Sequence, residues 1–266
     1  TDRNESTIYQ CEHPGVSNSK NYITGSAYGT SGFVEAGLGY TAEAEVIFPR
    51  KREMADPMFQ EYFQLTSSLF GVHTVDPGRN ATDTAWSDPD PANFQVHVVR
   101  PEFHSKDAYF ILTGTADYSL PKLTSSLYTD VYDDEKWNFS VGLRPVGYPF
   151  SHTVTGATHQ YVVEFYGVNS NFGTVNNEFL ATGTIDQDTA FAFLSSSKRA
   201  FIGAHKTHFT GGMPTYPTLQ TTDVMMSSFR VWHDFLTASV IRQHAHDPTN
   251  RGSEHPYRSS YLFESN

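Results

Sequence analysis

The stretch Trp137-Asn-Phe-Ser-Val-Gly-Leu-Arg144 alternates without a break: Trp137, Phe139, Val141 and Leu143 take one parity, Asn138, Ser140, Gly142 and Arg144 the other. Successive side chains of an extended chain project to opposite faces, so this spelling is that of an antiparallel strand with one apolar and one polar face. The same period recurs on either side of it. Ala42–Phe48 sets Ala44, Val46 and Phe48 against Glu43 and Glu45, and Phe94–Arg100 aligns Phe94, Val96 and Val98. Shorter strand candidates fall at 108–113, 161–166, 199–203 and 228–232. Turn-forming clusters separate them: Asp76-Pro-Gly78, Asp88-Pro-Asp-Pro91, Gly211-Gly-Met-Pro214 and Asp247-Pro248. Strands at such spacing, with no amphipathic helices between them, predict an all-β fold of two packed antiparallel sheets rather than βαβ units. With 20 Phe, 15 Tyr and 3 Trp, and only 18% charged residues, the composition also favours pleated sheet over helix. The two sheets are expected to bury Phe139, Val141, Phe165, Phe191, Phe193, Phe229 and Val231.

A length of 266 residues suits one large sandwich. No compositional break divides the middle of the chain, so the expected organisation is a polar N-terminal linker or arm over 1–20, one sandwich domain over 21–250 and an aromatic C-terminal extension over 251–266. One helix is expected, from about Thr237 to His246: Thr237 can cap it, and Val240, Ile241, His244 and Ala245 share a face. Asp247-Pro248 then stops it, because the residue before proline avoids the α region. A net charge of −11 argues against nucleic acid or an anionic membrane as partner. No apolar run approaches the roughly 18 residues of a membrane helix. Cys11 is the one cysteine, so an internal disulfide is excluded. The opening Thr1-Asp-Arg-Asn-Glu-Ser reads as a processed chain or a piece of a longer one.

Chemistry is harder to find. Gly37-Leu-Gly39-Tyr-Thr-Ala42 matches a dinucleotide fingerprint by letter, but it precedes a strand where a cofactor loop must open a helix, so a turn is expected and no cofactor. His244 and His246 stand about 200° apart on their helix and cannot share an ion. His205 and His208 converge only if their segment turns, and no metal site is expected. Asp130-Val-Tyr-Asp-Asp-Glu135 gathers hard oxygens of the kind calcium takes, yet it lacks the ligand spacing of a calcium loop and reads more simply as a solvated turn into the Trp137 strand. Glu43 and Glu45 share a strand face, an arrangement compatible with a glycosidase pair. The plainer reading is two solvated glutamates on an outer face, and no catalytic residue is assigned. Sequons at Asn4, Asn80 and Asn138 are about as many as chance supplies in so hydroxyl-rich a chain. Trp86 and Tyr216, in turn-rich segments, offer flat rings that can stack on a sugar and are the candidate glycan contacts.

The run from Asp223 to Asp247 carries a resemblance. Val231-Trp232, Leu236, Thr237 and Val240-Ile241 occupy the places where the laminin-G-like or concanavalin A-like jelly-roll superfamily writes its closing strand and short helix. Arg199-Ala-Phe-Ile-Gly203 resembles the family's strand ending in "I-G", and Trp137-Asn-Phe-Ser-Val141 its central "W-x-x-V" strand. The wording is also similar to that of laminin-G-like modules inside large structural proteins of bacteriophage particles. This resemblance implies a jelly-roll sandwich acting as a non-catalytic structural or recognition module, at an extracellular or virion surface, with neighbouring subunits or a glycan as partners. Hydrolases of the laminarinase type in this superfamily carry E-x-D-x-x-E. Here Glu43 matches the first position, Glu45 stands where aspartate belongs, and neither Ile47 nor Phe48 supplies the last carboxylate. The hydrolase is therefore the alternative, without its machinery, and the chain is expected not to be an enzyme.

Overall fold

In the computed structural model the described residues are 9–12, 39–50, 65–74, 94–102, 105–114, 120–147, 160–171, 173–195, 198–206, 219–222, 224–232, 234–247, 249–250 and 252. The alternating segments pair into two antiparallel sheets. The first runs, in spatial order, β1 (Tyr9–Glu12), β10 (Lys198–Ile202), β3 (Thr66–Thr74), β4 (Phe94–Val99), β5 (Tyr109–Thr113) and β6 (Leu123–Thr124). The second runs β13 (Met225–Trp232), β2 (Tyr40–Phe48), β7 (Glu135–Pro145), β8 (Gln160–Asn171) and β9 (Thr174–Asp186). A short ribbon pairs β11 (Ala204–Lys206) with β12 (Leu219–Thr221), and two helices, α1 (Gln187–Ser195) and α2 (Ala238–His246), complete the described elements. This is the all-β, two-sheet sandwich that the alternation predicts.

The central strand behaves as its spelling requires on its apolar side. Trp137, Phe139, Val141 and Leu143 are all buried, in one core with Phe110, Leu112, Val96 and Phe70 of the other sheet. Aromatic rings fill much of the space between the layers. Phe110 meets Phe139 edge-on at 4.6 Å between centroids and Trp137 at a tilt at 4.8 Å, and Phe165 meets Phe179 edge-on at 4.9 Å. Such edge-on pairs suit the ring quadrupole and add specificity to burial. Gly39, just before β2, lies where Phe235 crosses: a Cβ there would sit 2.6 Å from the Phe235 backbone nitrogen.

Several sequence expectations need correction. Glu43 and Glu45 are not solvated: they are 2% and 7% exposed, and Asn138 and Ser140 beside them are buried as well. The polar side of β2 and β7 is covered because α2 packs across it, closing a second apolar cluster of Tyr166, Val168, Leu236, Val240, Ile241 and Ala245. Phe193 is buried, but on α1, a helix the strand pattern does not anticipate, whereas Phe229 and Val231 are half-buried against the core. The Phe191 side chain lies outside the described residues. Thr237 holds the N-cap position of α2 with extended dihedrals, yet its side chain makes no capping hydrogen bond. Tyr9–Glu12, within the stretch read as an arm, pair along β10.

Candidate functional site

The candidate site is the polar row that three neighbouring strands present to α2. On β2, Glu43 stands opposite Ser140 of β7 and Arg230 of β13, and Glu45 stands opposite Asn138 and Ser228. The connection from β13 brings the helix back over this row. Thr41 Oγ1 donates to the Asp234 carbonyl (2.9 Å) and accepts from the Leu236 amide (2.9 Å), so the turn after β13 is fastened to the start of β2. At the far end, Lys136 Nζ and Ser170 Oγ donate to the Ala245 carbonyl at 3.1 and 3.2 Å, satisfying one of the bare carbonyls of the last turn. Val240, Ile241 and Ala245 press onto β8, and His244, in the same stripe, is buried over Glu43.

Donors surround the Glu43 carboxylate. Asn138 Nδ2 donates to Oε1 at 2.9 Å, with the Arg230 guanidinium 3.9 Å from the same oxygen. Trp232 Nε1 donates to Oε2 at 3.2 Å, and His244 Nδ1 lies 2.9 Å from that atom. The Trp232 indole and His244 imidazole stack, 5.4 Å between centroids and 22° between planes. Glu45 is held separately, by a hydrogen bond from Ser227 and by Lys136 Nζ at 3.4 Å. Ser227 reaches it because β13 bulges between Met226 and Ser228, and a bulge re-aims a side chain. A buried carboxylate is costly unless paired and hydrogen-bonded, and both glutamates meet that condition. Across the helix, Arg242 Nη2 lies 2.6 Å from Glu178 Oε2, which also accepts from the Tyr166 hydroxyl at 3.0 Å. The Arg242 contact holds the Glu178 carboxyl below its usual range, while burial pushes the Tyr166 hydroxyl up to about 12.

The other candidates fall as follows. Asp130–Glu135 form a turn into β7, with left-handed backbone at Asp130 and Asp134. Arg50 and Lys106 contact Asp133, at 2.7 and 3.2 Å, and the Lys106 hydrogen bond leads in holding that carboxyl below its usual range. Among the described residues no group of three or more His, Cys, Asp or Glu is placed to hold a metal ion. Asn138 is buried within β7 and bonded to Glu43, which closes that sequon to a glycan in the folded chain. Trp86, Tyr216 and His208 lie outside the described residues. Sequence reasoning missed Trp232, Arg230, Asn138 and Lys136 as partners of the glutamates. The available signal was His244 itself, a polar residue inside the apolar stripe of α2. Among the described residues no helix is long and apolar enough to cross a membrane.

No known protein family matches the sequence, and no curated protein does. Among solved structures, tailspike protein 2 of a bacteriophage of Escherichia coli O157:H7 aligns at 10% identity with a TM-score of 0.43, over 80% of this chain and 22% of the tailspike. The chain thus spans about a fifth of that protein's length. The CBM40 domain of the Ruminococcus gnavus IT-sialidase aligns at 14% identity with a TM-score of 0.35, over 82% of this chain and 89% of that domain. At these scores neither likeness carries an argument about fold or activity.

Proposed function

We propose that this chain is a non-catalytic recognition or assembly module, a β-sandwich of the laminin-G-like or concanavalin A-like kind, working in an extracellular or virion-borne structure. Its partners on this reading are a glycan, a neighbouring subunit, or both, with Trp86 and Tyr216 as the candidate glycan contacts. The observation that carries the reading is the engagement of Glu43 and Glu45. A glycosidase needs one carboxyl free to attack or activate water and a second free to protonate the leaving oxygen. Here Glu43 accepts from Asn138 and Trp232 beneath His244, and Glu45 accepts from Ser227 beside Lys136. That arrangement supports a role in fastening α2 to the sheet. Fold likeness alone would not decide between lectin, spacer and hydrolase, since sandwiches serve all three.

The test pairs a broad glycan array, with α2,3-sialyllactose among its sugars, with a reducing-end release assay on a polysaccharide panel. The expected result is no release from the wild-type chain and array binding that weakens in Trp86→Ala and Tyr216→Ala. Array silence, joined to specific capture of a neighbouring structural subunit, assigns the assembly role instead. Sugar release that disappears in Glu43→Gln while the variant keeps its melting point would overturn the non-catalytic reading.

A further inference from the structure

Every strand of the five-stranded sheet contains buried residues except its two edges, β13 and β9, and β13 is the edge to which the chain returns. β13 pairs with β2 on one side, and among the described residues no strand lies along its other side. Met225 is exposed, while Met226, Phe229 and Val231 pack against the core and stay partly open. The Phe229 ring lies 5.7 Å from that of Phe70 on the opposite sheet, so this edge is also a rim of the core. Met225-Met-Ser-Ser-Phe-Arg-Val-Trp232 has neither the lysine nor the proline that keeps an edge from pairing. Its bulge falls between Met226 and Ser228, which leaves Ser228–Trp232 regular. An apolar edge without such guards is commonly covered by another part of the chain.

The chain leaving α2 is held beside this edge. Arg230 Nη1 donates to the Asn250 carbonyl at 3.0 Å, and the Gly252 carbonyl lies 2.8 Å from Nε2 of His244, the ring that stacks on Trp232. Ser253-Glu-His-Pro256 follows, then Tyr257-Arg-Ser-Ser-Tyr-Leu-Phe263, in which Tyr257, Ser259, Tyr261 and Phe263 share one parity. Tyrosine and phenylalanine favour strands, and Pro256 stands just before this run, where its missing N–H takes no bond from a ladder. We propose that Tyr257–Phe263 add to the free side of β13 as a sixth strand of this sheet, with Tyr257, Tyr261 and Phe263 on the face of Phe229 and Val231. The tether sets the direction: a strand that starts beside Arg230 and Trp232 runs back toward Met225, antiparallel to β13, as a short connection requires. Reach selects the edge. Ser253–Pro256 span at most about 14 Å, enough for one strand spacing of about 4.8 Å and a step down from the helix layer. β9 lies four spacings from β13, about 19 Å, and is out of range. The chosen parity lays rings over the open rim at Phe229 and turns Arg258, Ser260 and Leu262 to the other face. An edge covered in this way is closed to strand addition by a neighbouring subunit, so such a partner is met elsewhere on the sandwich.

The test is amide exchange in the whole chain, read residue by residue. In an antiparallel edge strand, alternate amides point away from the paired neighbour. Expected in the wild type is protection of both sets of amides over Ser228–Trp232, and of alternate amides over Tyr257–Phe263. Tyr261→Asp should release the β13 amides that face away from β2 and leave the others protected. Ser260→Asp, on the opposite parity, should leave both sets protected. Fast exchange throughout 257–263 in the wild type, or an equal response of the two variants, overturns the added strand. Protection that vanishes on dilution as a dimer dissociates in sedimentation also overturns it, because the strand then comes from a second copy. The wild-type profile decides the matter even if Tyr261→Asp does not fold.

Discussion

Acid should weaken this sandwich through His97. The residue lies on β4, opposite Ser68 of β3 and Ile111 of β5, and among the described residues its Nδ1 has no hydrogen-bond partner. Burial pushes the imidazole down to about 4 from an ordinary value of 6.5. The folded protein thus keeps His97 neutral while the unfolded chain accepts a proton. Stability from this residue is complete above pH 6.5 and declines as the pH falls, because the unfolded state binds the proton first. The loss levels off below about 4, where the folded state binds it too. Between about pH 7.5 and 4.5 the two values give a loss of about 2.5 kcal/mol, at about 1.4 kcal/mol for each unit of difference. With a urea m-value of about 2–3 kcal/mol/M, that is a fall of about 1 M in the unfolding midpoint.

The assay is urea unfolding of the wild type and of His97→Leu at both ends of that range, followed by tryptophan fluorescence. Carboxylates that titrate near the acid end contribute alike to the two proteins, so the difference between them isolates the histidine. The expected outcome is that the wild type loses about 1 M more of its midpoint than the variant does. Parallel profiles would refute the reasoning, showing that water reaches the ring or that the unfolded chain shields it equally.

Two further outcomes test the packing directly. Phe139→Ala should cost about 3–5 kcal/mol in chemical unfolding, because the ring meets Phe110, Trp137 and Phe165 inside the core, and Phe139→Asp should abolish cooperative melting altogether. A soluble Asp variant with a sharp thermal transition would remove β7 from the sandwich core. Gly39→Ala should lower stability by about 1–3 kcal/mol, since the added Cβ meets the Phe235 amide nitrogen at 2.6 Å and the Leu143 carbonyl at 3.0 Å, both backbone atoms unable to swing aside. A melting temperature equal to that of the wild type would show that the approach of Phe235 is looser than described.

The strands legible in the sequence are those whose alternation is unbroken, and the ones missed have an identifiable fault. β9 is the clearest. Phe179, Ala181 and Ile185 pack into the core, whereas Val175 joins the cluster under α2 on the opposite face. Between them the register with β8 slips, from Asn177 opposite Asn169 to Val175 opposite Ser170, so the period of two changes phase within the strand. β9 is also an edge strand with its polar residues exposed, and neither parity reads as consistently apolar. α1 was concealed differently. Ala190, Phe193 and Leu194 are its buried stripe, at helical spacing, and Asp186 caps it by accepting from the Thr189 amide at 2.8 Å. The cue Asp186-Gln-Asp-Thr189 was present. Phe191-Ala-Phe193 imitates a strand within it, and an apolar run this short does not distinguish the two periods.

The misreading of Glu43 and Glu45 is of another kind, because alternation reports which side of a sheet a residue faces and nothing about what lies on that side. Both glutamates do face away from the sandwich core, as the pattern says. They are buried because residues almost 200 positions later return as a helix, and Glu43 is joined to Trp232 and His244 across that separation. The requirement that a buried carboxylate find donors still constrains the answer. Asn138 lies diagonally from Glu43 on the adjoining strand, two residues from its direct partner Ser140, and a histidine stands among Val240, Ile241 and Ala245 on the helix that follows β13. A polar row across neighbouring strands and a polar residue in an apolar helical stripe are each anomalous alone, and pairing them removes both anomalies. On that argument the seat of α2, and with it the absence of an open carboxylate pair on this face, follows from matching unsatisfied groups rather than from periodicity.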